Sequence, residues 1–181
     1  IEGMFAIALF DIADQSISLI RDFAGIKPLF YSYNKGNVVF GSRYDLVAKH
    51  NNSIDNAIDQ EVLKTYLKMH YIPAPYGILE DTFQVYPGEC VNIDSKGKLS
   101  KYTYWEFPVL SEEDLIYDKE EALQFLDSKL KESVKDQLEA DVPLGTFLSG
   151  GIDSPLVTSY AKSCKDDLKA FTIGSDSKVH D

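Results

Sequence analysis

Residues 142–173 carry the feature that most restricts the fold. A short apolar run from Val142 to Leu148 gives way at once to Ser149-Gly150-Gly151-Ile152-Asp153-Ser154. A helical stretch from about Pro155 to Ser163 follows, and then a second apolar run from Leu168 to Ile173. Strand, loop, helix and strand in that order predict two parallel strands joined by a crossover helix, because parallel neighbours cannot be linked by a tight hairpin. The loop itself has the composition of a phosphate cradle. Two glycines let the main chain turn sharply and approach a ligand closely. Ser149 and Ser154 offer hydroxyl donors, and the helix start near Pro155 aims unpaired amides and the positive end of its dipole at the same place. Proline suits a first helical position, where no amide is required. Asp153 is the odd member, since a carboxylate beside phosphate oxygens is repelled unless a cation lies between them. Mg2+, held by a carboxylate, waters and phosphates, resolves that conflict. The plain alternative is a two-glycine turn with a capping aspartate, and the serine, glycine, glycine, aspartate, serine pattern at a strand-to-helix junction favours the cradle. The other common phosphate loop needs a glycine-lysine pair that is absent here.

The chain before this segment follows a different rhythm. Met4 to Phe10 is apolar, Asp11 to Gln15 polar, and Ile17, Leu19 and Arg21 alternate, which predicts a hairpin of two buried strands. Leu29 to Tyr33 and Val38 to Gly41 repeat the pattern across Asn34-Lys35-Gly36-Asn37, whose asparagine and glycine suit positive backbone angles. The first forty residues thus read as one antiparallel sheet. From Asp59 the period lengthens: Val62, Leu63, Tyr66, Leu67 and Met69 predict an amphipathic helix capped by that aspartate and ended by Tyr71-Ile72-Pro73-Ala74-Pro75. Strands are expected over Thr82–Val85, Glu89–Ile93 and Leu99–Trp105, with turns at Pro87-Gly88 and Ser95-Lys96-Gly97. Glu106 to Lys119 is acidic and broken by Pro108, so a domain boundary is placed there, between residues 1–107 and 108–181. Asp118 and Glu121 form a capping-box pattern ahead of Leu123, Leu126, Leu130, Val134 and Leu138, one face of a helix of about five turns.

Composition narrows the partners. A net charge of −11 without a lysine or arginine cluster makes nucleic acid and anionic membranes poor partners. No apolar run approaches the ~20 residues of a membrane-spanning helix. Cys90 and Cys164 have no paired spacing and read as small buried apolar residues, and His50, His70 and His180 are too scattered to hold zinc. These features suit a reducing cytoplasm. The chain opens at Ile1 without a methionine and is expected to be a piece of something longer.

The loop and its neighbours resemble the glutamine-dependent asparagine synthetases of the bacterial type. The resemblance runs in order through Gly3–Asp11, Arg21-Asp22 with Gly25–Tyr31, Tyr71–Pro75, Pro87-Gly88, Asp141–Gly145, Leu148–Ser154 and Phe171–Gly174. It implies an α+β antiparallel sheet, the latter half of an N-terminal-nucleophile glutaminase domain, over residues 1–107. The α/β parallel-sheet start of an ATP-pyrophosphatase-type synthetase domain would follow over 108–181. It further implies glutamine, aspartate and ATP as substrates, Mg2+ as the metal, and a cytoplasmic enzyme, and it allows a homodimer. Carried over by position, the ATP contacts fall on Leu148, Ser149, Gly150, Gly151, Asp153, Ser154 and Ile173, with Asp153 on the metal. Leu148 and Ile173 are equally good as plain core positions. No catalytic residue of the family falls within the chain, since the nucleophilic cysteine and its helpers lie upstream of Ile1 and the rest of the synthetase pocket beyond Asp181. The fragment alone is therefore expected to be inactive. Two departures, Arg43 after Ser42 where the family commonly has glutamate, and Pro155 where it has serine or threonine, leave room for another acceptor, since relatives that amidate sugars or close lactam rings share the scaffold.

Arg21, Asp22 and Lys27 are expected to brace a loop between the two domains through exposed ion pairs worth ~0 to 1 kcal/mol each. Glu112, Glu113 and Asp114 read as a solvated linker. Tyr66, Tyr71, Tyr76 and Tyr86 read as packing residues, because no basic residues interleave with them.

Overall fold

The computed structural model describes residues 1–50 and 57–174. Two compact units divide between Pro108 and Val109. His180 lies outside the described residues, and no described helix is long and apolar enough to cross a membrane. The content is mixed α and β, with antiparallel sheets in the first unit.

In the first unit, β1 (Ala6–Asp11) and β2 (Ser16–Arg21) form the expected hairpin. β3 (Phe30–Asn34) and β4 (Asn37–Gly41) form a second. The helices α1 (Tyr44–His50) and α2 (Gln60–Met69) follow, then β5 (Thr82–Gln84), β6 (Glu89–Ile93) and β7 (Leu99–Thr103). The two hairpins do not share a sheet. β2 pairs with β6 in the order β1-β2-β6-β7, whereas β3 pairs with β5 in the order β4-β3-β5. Leu19 from β2, Val91 and Ile93 from β6, Tyr31 from β3, and the flanking Leu29 and Val85 close one core shared by both sheets. Full burial of side chains of this size contributes roughly 1.5–3 kcal/mol each.

Only β2 of the first hairpin is well buried. β1 is an edge strand, and its Leu9 and Phe10 are 57% and 58% exposed. In the second hairpin the positive φ angles fall on Lys35 (49°) and Gly36 (86°), while Asn34 and Asn37 face each other as the last strand pair. Gly36 also has a packing role. A Cβ built on Gly97, in the β6–β7 turn, would stand 2.8 Å from the Gly36 Cα. The two turns therefore touch backbone to backbone, and Tyr33 Oη donates to Gly97 O at 2.5 Å beside them.

Asp59 caps α2 by accepting from the amides of Glu61 and Val62 at 2.9 and 3.1 Å. The helix stops before the prolines: His70 takes a left-handed conformation (φ 60°) and donates its amide to Tyr66 O at 2.7 Å. The short α1 is anchored by buried Val47, and its Tyr44 hydroxyl meets Thr82 Oγ1 at 2.8 Å and accepts from the Leu79 amide at 3.0 Å. Tyr66, Tyr71, Tyr76 and Tyr86 are about half exposed, so they pack less fully than expected.

The second unit opens with a single 3-10 turn over Glu112–Asp114. Asp114 folds back to accept from the Ser111 amide and hydroxyl, both at 2.8 Å, so this acidic run is exposed but has local structure. Helix α3 (Lys119–Asp136) is capped by Asp118, which accepts from the Glu121 amide at 2.8 Å. β8 (Gly145–Phe147), α4 (Asp153–Cys164) and β9 (Lys169–Phe171) complete the unit, and β8 and β9 pair in parallel as the alternation of elements requires. The apolar face of α3 packs on α4 around Leu130, Leu156 and Tyr160, with Leu123 and Leu126 left half exposed. Tyr160 Oη donates to Asp127 Oδ1 at 2.5 Å across this contact, a bond that raises the phenol pKa. Cys90 is buried as expected, whereas Cys164, in the last turn of α4, is exposed.

Candidate functional site

The loop between β8 and α4 gathers Leu148, Ser149, Gly150, Gly151, Asp153 and Ser154 within one turn of chain. At its entrance the Leu148 amide donates to Phe171 O at 2.7 Å, and Leu148 O accepts from Thr172 Oγ1 at 2.6 Å. Below it, the hydroxyls of Thr146 on β8 and Thr158 on α4 meet at 3.1 Å. The loop thus stands on a strand and a helix that are pinned to each other.

Within the loop the two serines serve each other. Ser154 Oγ accepts from the Ser149 amide at 2.9 Å and lies 2.7 Å from Ser149 Oγ, which accepts in turn from the Gly151 amide at 3.4 Å. The paired hydroxyls hold the loop closed, and their mutual contact uses only one of their two protons. The helix also starts earlier than expected. Ile152 is its cap and Asp153 its first residue, so Pro155 sits at the third helical position. The first intrahelical bond, Leu156 N to Ile152 O at 3.2 Å, follows it directly. Among the described residues, no acceptor meets the amides of Gly150, Ile152, Asp153 or Ser154. Such a set of exposed donors at a helix start, reinforced by the dipole, is suited to an anion.

The glycines are not explained by the chain itself. Neither Gly150 nor Gly151 has φ in the left-handed range. A Cβ on Gly150 would meet nothing within 4 Å, and one on Gly151 would meet only Ser149 Oγ at 3.5 Å. Backbone conformation and packing both tolerate alanine there, which leaves the space itself as the reason for glycine.

Asp153 is exposed on the first turn of α4, and the described residues contain no cluster of three or more metal-binding side chains. Its single carboxylate suits Mg2+, which takes one or two carboxylates and completes its shell with phosphates and water. Ile173 lies just beyond β9 and is 91% exposed within this chain, and Leu148 is half-buried.

The charged loop after β2 is built differently from its expected form. Arg21 and Asp22 are only 8% and 1% exposed. Arg21 donates to the carbonyls of Lys27, Gly25 and Val85 at 2.9, 2.7 and 2.9 Å. Asp22 accepts from the amides of Ile26 and Lys27, both at 2.9 Å. The pair therefore braces residues 22–28 within the first unit by buried bonds to backbone, not by exposed ion pairs. Burial raises the Asp22 pKa, but those amide donations and the nearby Arg21 outweigh it and hold the carboxyl below its ordinary range. Burial likewise lowers the Arg21 pKa, against the opposing pull of Asp22. Arg43 forms an exposed ion pair with Asp45 at 2.6 Å. Thr146, Thr158 and Thr172 went unmarked in the sequence because a hydroxyl-to-backbone or hydroxyl-to-hydroxyl contact between elements leaves no periodic trace.

An antiparallel two-sheet unit joined in sequence to a strand, glycine-serine loop, helix and parallel strand defines a class of mixed α and β protein with an anion-ready helix start. Residues 1–105 match the family described as "Glutamine amidotransferase domain", and residues 126–181 match the one described as "Asparagine synthase". The chain belongs to the glutamine amidotransferase domain family, continued by a segment of asparagine synthase type. It is 33% identical over 181 residues to a putative glutamine-hydrolysing asparagine synthetase 2 of Methanocaldococcus jannaschii, covering 97% of this chain and 34% of that protein. It is 34% identical over 178 residues to the glutamine-hydrolysing asparagine synthetase 1 of Bacillus subtilis, covering 96% and 27%. A more distant relative, the amidase chyE of Penicillium rubens, is 27% identical and covers 97% and 28%. The chain spans about a third or less of the length of these relatives.

Proposed function

We propose that this chain is part of an ATP-dependent, glutamine-hydrolysing asparagine synthetase, a carbon-nitrogen ligase. The enzyme would adenylate the side-chain carboxylate of aspartate, release pyrophosphate, and amidate the activated carboxyl with ammonia drawn from glutamine. A carboxylate is a poor electrophile and AMP a good leaving group, so adenylation makes amide formation favourable. Residues 1–107 are the latter part of the glutaminase domain, and residues 108–181 begin the ATP-pyrophosphatase domain. The chain carries part of each site, with no catalytic residue assigned to it, and by itself does not turn over.

The observation that carries this reading is the group of unpaired amides at Gly150, Ile152, Asp153 and Ser154 around an open glycine. These donors would hold the phosphates of ATP. The serine pair closes the loop that carries them, and Leu148 and Ile173 would flank the adenine. Asp153 would hold Mg2+, which when bound neutralises charge between the carboxylate and the phosphates. The homodimer and the cytoplasmic setting belong to the same proposal.

ATP–pyrophosphate exchange in the complete protein tests the reading. Aspartate should stimulate exchange over other carboxylic acids. Stimulation by another acid alone would move the acceptor assignment toward an amide ligase of different substrate, a reading to which the amidase-named relative lends weight. Absence of exchange with every acid would contradict adenylation.

A further inference from the structure

We propose that Thr172 is a positioning residue that opens the nucleotide cleft by taking the last rung of the β8–β9 ladder with its side chain; this rests on the ATP-binding reading above. The register runs Gly145 to Lys169, Thr146 to Ala170 and Phe147 to Phe171, so a ladder continued by one residue would set Leu148 opposite Thr172. Half of that rung is made by backbone, Leu148 N to Phe171 O at 2.7 Å. In a continued parallel ladder the Ile173 amide would donate to Leu148 O. That carbonyl instead accepts from the Thr172 hydroxyl at 2.6 Å. A local side-chain bond here replaces a sheet bond. The entry of the loop stays fixed while Ile173 falls outside the paired strands. Leu148 and Ile173, the two residues that would flank the adenine, thereby lack the backbone bond that a continued ladder would place between them.

Three variants of the complete protein test this, with MgATP as the probe. Thr172→Val removes the hydroxyl and keeps the shape, freeing Leu148 O to capture the Ile173 amide. MgATP should then bind about 3- to 10-fold more weakly, the loss of one hydrogen bond. Hydrogen exchange at the Ile173 amide without nucleotide should slow. Thr172→Ser, which keeps the donor, should restore both. Tyr160→Phe removes the hydrogen bond to Asp127 between α3 and α4. It should lower the melting temperature and leave MgATP affinity unchanged. Wild-type affinity in Thr172→Val, failure of Thr172→Ser to restore it, or an equal affinity loss in Tyr160→Phe would overturn the role of Thr172 alone. No MgATP binding by the wild type would overturn the nucleotide reading and this inference with it.

Discussion

Ser149 and Ser154 clasp each other across the turn of the loop, with hydroxyls 2.7 Å apart and the Ser149 amide donating to Ser154 Oγ at 2.9 Å. The clasp draws the start of the loop onto the first turn of α4, and among the described residues no acceptor meets the amides of Gly150, Ile152 and Asp153 between the two serines. The donors that would meet phosphate thus include these main-chain groups, and the clasp leaves one serine hydroxyl proton to join them.

Ser154→Ala should therefore weaken function more than stability. The residue is only partly buried, so unfolding should shift little. Loss of both contacts should reduce kcat/KM for ATP–pyrophosphate exchange about tenfold, near the effect of one or two hydrogen bonds. Thermal melting and steady-state exchange on the same sample check this, and unchanged exchange would count against the clasp.

Asp22 should govern acid stability of the first unit. Its folded-state pKa lies below the unfolded value, so its contribution is present above the ordinary carboxyl pKa and is lost as pH falls through the folded value. Wild-type stability should accordingly fall below about pH 4, where an unfolded aspartate titrates. Asp22→Asn should lower stability at pH 7 by about 2–4 kcal/mol, because it sets an amide nitrogen or a weaker acceptor against the Ile26 and Lys27 amides. It should also flatten the acid slope. Urea unfolding between pH 3 and pH 7, as rough bounds around that carboxyl range, measures both effects.

Gly97→Ala should destabilise by about 2 kcal/mol or more. Its φ is +74°, and a Cβ would press on the Gly36 backbone at 2.8 Å. Gly36→Ala, with a looser 3.4 Å contact, should cost less. Chemical denaturation of the two variants side by side gives the order.

Much of the local structure was legible because its causes are local. Asp59 and Asp118 cap their helices where the pattern places them, and Glu89–Ile93 is the strand its alternation predicts. The division of the two hairpins between sheets was not legible. A period of two says that β2 has a partner but not that the partner is β6, some seventy residues away. Seven-residue α1 was too short to show a helical period. Arg21 reads as a surface charge until its acceptors, gathered from Gly25, Lys27 and the distant Val85, are in place. At the loop, the residues were found from composition and order. Which serine group faces the ligand, and where Pro155 falls in the helix, depended on a two-residue shift in the helix start that no propensity resolves.

Gly150→Ala tests the central claim most directly. Its φ is outside the left-handed range and a Cβ there meets nothing in the chain, so melting should match wild type or rise slightly. If the open face is where a phosphate group sits, the added methyl should weaken MgATP binding at least about tenfold, equivalent to about 1.4 kcal/mol of lost binding free energy. Calorimetric titration of MgATP into the complete protein and its Gly150→Ala variant decides the matter. Intact melting with lost affinity is the predicted result, and wild-type affinity in the variant would contradict phosphate binding at this loop.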